Sequence, residues 1–101
     1  MQFMLALDVY LISKTFMNDV TIYTKDYCPF CVSAKSLLKM KKINFSEVNL
    51  NENPEKFEEM LTRSKGARTV PQIFYKDTYV GDCDKIHELN SQGKLENFLG
   101  L

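Results

Sequence analysis

Two cysteines spaced for redox chemistry stand in the stretch Lys25-Asp26-Tyr27-Cys28-Pro29-Phe30-Cys31. A Cys-x-x-Cys pair is a dithiol that can open and close, and its reactivity depends on how well the first sulfur is held as a thiolate. The flanking sequence supplies the means. Val20 to Thr24 is a β-branched and aromatic run that reads as a buried strand. Beyond the motif, Val32, Ala34, Leu37, Leu38 and Met40 carry the apolar spacing of a helix from about Pro29 to Lys41. Pro29 suits the first helical position, where its missing N–H would have no partner anyway. Cys28 is then the N-cap, its sulfur beside the positive end of the helix dipole, and Lys25 adds a full positive charge close by. This arrangement makes Cys28 the expected nucleophile.

A chain of 101 residues with 45% hydrophobic content is one globular domain with a modest core. Its formal net charge of +0 gives no reason to expect nucleic acid or an anionic membrane as a partner. Three cysteines, two of them in the motif, do not make a secreted disulfide framework. A reducing, cytoplasmic setting is expected. The stretch from Met1 is apolar to Leu7, is broken by Asp8, and resumes from Val9 to Ile12. It is too short and interrupted to span a bilayer, and it lacks the basic start and cleavage site of a secretory signal. Residues 1–16 read as an extension outside the fold, with Met17 as a natural start and 17–101 as the domain. An extra strand or helix packed on the domain is the rival reading.

Elements follow that can position the dithiol. Lys39, Lys41 and Lys42 match the negative end of the first helix. Ile43 to Leu50 reads as a second strand, with Phe45 on one face and Val48 and Leu50 on the other. Asn53 is expected to cap, and Pro54 to open, a second helix with Phe57, Met60, Leu61 and Ser64 inward and Gly66 as its left-handed stop. Strand, helix, strand in this order implies a parallel pair with a right-handed crossover. Gln72 to Lys76 reads as a third strand, Asp77-Thr78 as a tight turn and Tyr79 to Gly81 as a fourth strand, with Tyr75 and Tyr79 facing each other. A last helix runs from near Asp82, its N-cap, to Gly93, with Ile86 and Leu89 inward. Leu95, Phe98 and Leu99 then dock a final turn.

Three separated motifs now stand in order: Lys25-x-x-Cys28-Pro29-Phe30-Cys31, Thr69-Val70-Pro71, and Gly81-Asp82-Cys83-Asp84. On a βαβ then ββα pattern, the chain from about Asp19 onward resembles a glutaredoxin of the dithiol class. The resemblance implies an α/β, thioredoxin-like fold: a four-stranded mixed sheet with helices on both faces. It implies a monomeric enzyme in cell redox homeostasis that carries electrons from glutathione, its co-substrate, to protein disulfides and glutathione mixed disulfides. Ribonucleotide reductase is one such substrate the resemblance allows, and no metal is expected. Cys28 would attack the glutathionyl sulfur, and a second glutathione or Cys31 would resolve the intermediate. Pro71 would be a cis proline facing the Cys28 sulfur, presenting the Val70 backbone to an extended cysteinyl peptide. Tyr27, Phe30 and Thr69 would complete the walls. Lys25 would pair with the glycyl carboxylate of glutathione, with Arg68 as the second charge and Arg63 competing for that part. Gly81, Cys83 and Asp84 would meet the γ-glutamyl end, Cys83 through its N–H and Asp84 through its carboxylate. Two residues depart from the family's habit: Asp82 replaces a glycine and Lys85 an acid, both at the γ-glutamyl subsite. Phe30, where tyrosine is commoner, only deletes a hydroxyl.

Other chemistries fit parts of the pattern. Cys28, Cys31, Cys83 and His87 have the spacings of a structural zinc site, yet a proline-led helix after a strand is the redox arrangement. A glutathione-ligated iron–sulfur carrier would use Cys28, but such relatives carry a small residue where this chain has Pro29. A thioredoxin-type reductant would have a tryptophan beside its dithiol, and the chain has none. His87 reads as an ordinary polar helix residue and Cys83 as a small loop residue whose backbone matters, with redox regulation as its alternative.

Overall fold

The computed structural model describes residues 19–101, so the expected extension over 1–16 and the start at Met17 lie outside the described residues. The elements run β1 (Val20–Thr24), α1 (Pro29–Met40), β2 (Ser46–Asn49), α2 (Lys56–Arg63), β3 (Gln72–Tyr75), β4 (Thr78–Gly81), α3 (Cys83–Ser91) and α4 (Leu95–Phe98). The sheet order is β2-β1-β3-β4. β1 pairs parallel with β2 and antiparallel with β3, which pairs antiparallel with β4. This is the thioredoxin-like α/β sheet.

Strand alternation divides the core between the two faces of the sheet. Val20, Ile22 and Ile73 pack on one face with Ala34, Leu37 and Leu38 of α1 and Ile86 and Leu89 of α3. Tyr23 and Phe74 pack on the other with Leu50 and Met60 of α2, joined by Val48, Phe57 and Val70. Complete burial of a side chain such as Leu38 or Ile22 contributes about 1.5–3 kcal/mol. Phe45 belongs to the first cluster and Val48 and Leu50 to the second, as the alternation requires.

Several boundaries differ from the sequence expectation. In α1 the buried residues are Cys31, Ala34, Leu37 and Leu38, while Val32 and Met40 fall off that stripe and are exposed. β2 is shorter than expected at Ser46–Asn49. Asn53 does not cap α2: its side chain donates to the Asn49 carbonyl, and a turn closed by Lys56 N–H on Asn53 O precedes the helix. The left-handed stop of α2 is Lys65 (φ 59), with Gly66 following it and donating to Leu61 O. The hairpin turn is Lys76-Asp77, with Lys76 at φ 52, so Tyr79 pairs with Phe74 and Tyr75 with Thr78. Phe98 is half-exposed, whereas Leu95 and Leu99 dock as expected. Cys83 is the first residue of α3 and is buried, not a loop residue.

Glu47 of β2 ties the sheet to the helix that carries the dithiol. Burial raises its carboxyl, but hydrogen bonds from Thr24 Oγ1 (2.6 Å) and Lys35 Nζ (3.0 Å) outweigh burial and hold it below the ordinary value of 4.5. Glu59 is held low in the same way, first by the hydrogen bond from Tyr23. A carboxyl depressed on folding lends stability above its unfolded value and loses it as pH falls through its folded one. The thermal midpoint is therefore expected to fall as pH drops below about 4.5. Thr24→Val removes the larger of the two hydrogen-bond causes on Glu47 and is expected to shallow that fall. Melting curves across pH 2–7 check this, and parallel profiles for both proteins would refute it.

Candidate active site

The first turn of α1 is built as its sequence requires. Cys28 is the N-cap in an extended conformation, its Sγ accepts the Cys31 N–H at 3.1 Å, and Pro29 follows at the start of the helix. Cys28 and Cys31 are joined as a disulfide with their Cα atoms 5.2 Å apart. Cys28 is half-buried, whereas Cys31 is 2% exposed on the inner stripe of the helix. An N–H aimed at the sulfur and the positive helix end both favour a thiolate at Cys28 when the bond is open.

The loop before the helix is held from the far side. Tyr27 has a left-handed backbone (φ 55) and a wholly exposed ring. Its neighbour Asp26 is pinned twice, by its N–H to Asn51 Oδ1 (2.6 Å) and by its carboxylate to Asn49 Nδ2 (2.9 Å). Asn49 Oδ1 in turn accepts the N–H groups of Asn51 and Glu52. The loop that leads into the dithiol is thus locked to the loop after β2. Asn49 and Asn51 were not singled out from sequence; the signal present there is an Asn at a strand end entering a turn.

Opposite the dithiol, the Val70–Pro71 peptide is cis and the Val70 carbonyl oxygen lies 3.9 Å from Cys28 Sγ. Thr69 is secured by Gln72, a side chain 1% exposed, whose Nε2 donates to Thr69 O (2.9 Å) and Oγ1 (3.3 Å). Gln72 too carried no signal beyond being a polar residue opening a strand.

Two clefts open near the dithiol. One, of about 290 Å³, is walled by Phe30, Thr69, Val70, Pro71, Asp82, Cys83 and Asp84. The other, of about 520 Å³, is walled by Lys25, Tyr27, Cys28 and Cys31 among others. Gly81 is buried just before the first cleft's helix, at φ 144, and a Cβ there would meet Lys85 Cβ and Cγ at 2.6 Å. The β3–β4 pairing shifts register between Ile73 and Phe74, leaving Val80 as the extra residue before Gly81 pairs with Ile73 and closes β4. Asp82 caps α3, accepting the Lys85 N–H at 2.9 Å.

Of the two arginines, Arg63 is engaged in the fold. It donates to Tyr23 OH (2.7 Å) and to Lys76 O (2.5 Å), and its guanidinium lies 4.3 Å from the centre of the Phe74 ring. Arg68 is exposed near the mouth of the Thr69–Pro71 segment, over the Phe57 ring. His87 of α3 contacts Ser33 of α1 at 3.0 Å. Among the described residues no group of His, Cys, Asp and Glu is arranged to hold a metal ion.

Chains of known kind share this design. The family model described as Glutaredoxin matches residues 20–80. A glutaredoxin of Pseudomonas aeruginosa is 45% identical over 83 residues, covering 82% of this chain and 98% of that protein. Glutaredoxin 3 of Escherichia coli (strain K12) is also 45% identical over 83 residues, covering 82% and 99%. The solution structure of the glutaredoxin from Brucella melitensis superposes with a TM-score of 0.69 at 41% identity, covering 84% of this chain and 94% of that one. A dithiol that closes on itself at a helix start explains what such a match means chemically: this chain belongs to the glutaredoxin family and is a thiol–disulfide oxidoreductase.

Proposed function

We propose that the protein uses glutathione to reduce protein disulfides and glutathione mixed disulfides, with Cys28 as nucleophile and Cys31 as resolving thiol. One observation carries this reading: Cys28 Sγ sits at a helix N-terminus, hydrogen-bonded by the Cys31 N–H, in the wall of a cleft that opens to solvent and 3.9 Å from the Val70 carbonyl oxygen of the neighbouring one. The Cys28 thiolate attacks the glutathionyl sulfur of a mixed disulfide, and the substrate leaves as a thiolate that takes up a proton. A glutathione thiolate then attacks the same glutathionyl sulfur, forming glutathione disulfide and freeing Cys28. With a protein disulfide, Cys28 forms the mixed bond and Cys31 attacks its sulfur, closing the intramolecular disulfide and expelling the second substrate thiol. Two glutathiones restore the dithiol. A low-pKa thiol is the better leaving group, so stabilising Cys28 as thiolate assists its release.

In this reading glutathione lies in the smaller cleft, its cysteinyl part along Thr69–Pro71 and its γ-glutamyl end at the start of α3, toward Cys83 and Asp84. Its glycyl carboxylate extends out of that cleft toward Lys25, which walls the larger one, and Arg68, since Arg63 is engaged elsewhere. Cys83, already the only described cysteine outside the disulfide, would serve through its backbone. The dithiol requires a reducing surrounding, and we assign the activity to the cytoplasm. The test is reduction of a small glutathione mixed disulfide coupled to glutathione reductase and NADPH. Turnover that ignores glutathione but runs with thioredoxin reductase would overturn the reading.

Asp82 qualifies the γ-glutamyl subsite. Its carboxylate already accepts one N–H of the α3 start, where the α-carboxylate of glutathione would also bind. Asp82→Gly is expected to lower KM for glutathione several-fold, less so at high salt. Its stability cost is a few tenths of a kcal/mol, the usual difference between Asp and Gly at a cap. Kinetics at low and high ionic strength check this; a KM that stays or rises means that Asp82 only caps.

A further inference from the structure

Two exposed cations from distant parts of the chain stand over one aromatic ring. Lys25 Nζ, in the loop after β1, lies 5.8 Å from the centre of the Phe57 ring, and Arg68 Cζ, in the segment before β3, lies 5.5 Å from it. Like charges so placed repel each other, and long side chains at exposed positions sample many rotamers. The negative face of an aromatic ring opposes both tendencies, because it attracts each cation within about 6 Å. Phe57 is suited to hold still while it does so. It is half-buried in the first turn of α2 and packs on the cluster of Tyr23, Leu50, Met60 and Phe74. Asn49 and Asn51, which lock the Lys25–Asp26 loop, fix the other side of the arrangement.

We infer that Phe57 is a positioning residue that gathers Lys25 and Arg68 into one preorganised carboxylate clamp beside the dithiol. The inference rests on the proposed reading in which these two cations receive the glycyl carboxylate of glutathione. Preorganisation lowers the ordering cost of binding without adding a contact, so its loss appears in affinity and not in the thiol chemistry. The ring touches neither substrate nor sulfur and acts through the cations.

Phe57→Leu keeps an apolar side chain in the cluster but removes the ring. It is expected to raise KM for glutathione three- to tenfold with kcat unchanged, and Phe57→Tyr, which keeps the ring, is expected to stay within twofold of the wild type. In the wild type the Lys25 Cε and Arg68 Cδ protons are expected to show upfield ring-current shifts in NMR spectra, lost in Phe57→Leu. Lys25→Met and Arg68→Met complete the experiment. If both raise KM while Phe57→Leu leaves it within twofold, the positioning role is overturned and the glutathione reading stands. If neither raises KM, the glutathione reading of these cations is overturned and with it the clamp. Absence of ring-current shifts in the wild type overturns the inference whatever the kinetics show.

Discussion

Cys28→Ser is expected to reduce turnover to background with every disulfide substrate, while Cys31→Ser keeps deglutathionylation and loses reduction of protein disulfides. The first substitution is unusually clean. Serine is among the best N-cap residues, so its hydroxyl can take over the hydrogen bond that Cys28 Sγ accepts from Cys31 N–H. The helix start is kept and the loss is chemical, because a hydroxyl at neutral pH is not the nucleophile that a thiolate is. Cys31→Ser is less benign for the fold. Position 31 is 2% exposed, and an unpaired buried hydroxyl costs about 1–3 kcal/mol. Even so, an external glutathione can resolve the Cys28–glutathione bond without Cys31. A protein bound through Cys28 has no such easy escape, since its bulk covers the sulfur that a second thiol must reach. Parallel assays with a small glutathione mixed disulfide and with a disulfide-bonded protein separate the two roles. Substantial turnover by Cys28→Ser would remove the nucleophile assignment. Equal retention of both activities by Cys31→Ser would remove the resolving one.

The starts of α1 and α3 were legible because their chemistry is local, whereas the start of α2 was not, since Asn53 is drawn to the Asn49 carbonyl instead of capping. Cys28 before Pro29, and Asp82 before α3, were both assignable as caps from neighbouring residues, and both accept the expected kind of N–H. The parallel β1–β2 pair and the β3–β4 hairpin followed from alternation and from the sequence of element types, whereas the antiparallel β1–β3 pairing that joins them is a remote contact that no local pattern gives. What was hidden depends on remote partners. Nothing local distinguishes Arg63 from Arg68; only packing against Phe74 and Tyr23 takes Arg63 away from the cleft. Lys42, Lys65 and Lys76 adopt positive φ without being glycine, which no residue pattern announces. Val32 and Met40 looked like part of an apolar stripe, but the sheet meets only the arc of α1 that carries Cys31, Ala34, Leu37 and Leu38. Asn49, Asn51 and Gln72 position the two active-site loops through hydrogen bonds to other segments, so their work is invisible until those segments are brought together.

Lys25→Glu carries the second large effect and tests electrostatics apart from the thiols. Lys25 is exposed and walls the cleft that also contains Cys28. Reversing its charge changes the local field by two units without disturbing the fold. A thiolate at Cys28 is then opposed by an anion where a cation favoured it, so the midpoint of its titration moves up. The carboxylate of an incoming glutathione meets the same reversal. Exposed charge pairs are individually weak, and a double change at such a site amounts to roughly a tenfold rise in KM for the glutathionyl substrate. Lys25→Met is expected to give about half of that effect on a logarithmic scale, because it removes one unit instead of two. Raising the salt should bring all three proteins together, since surface charges farther apart than the Debye length of about 8–10 Å are screened. Thiolate absorbance against pH reports the titration, and steady-state kinetics at two ionic strengths report the binding. A raised KM with an unmoved titration would confine Lys25 to substrate binding, and if neither moves, Lys25 has no part in the site.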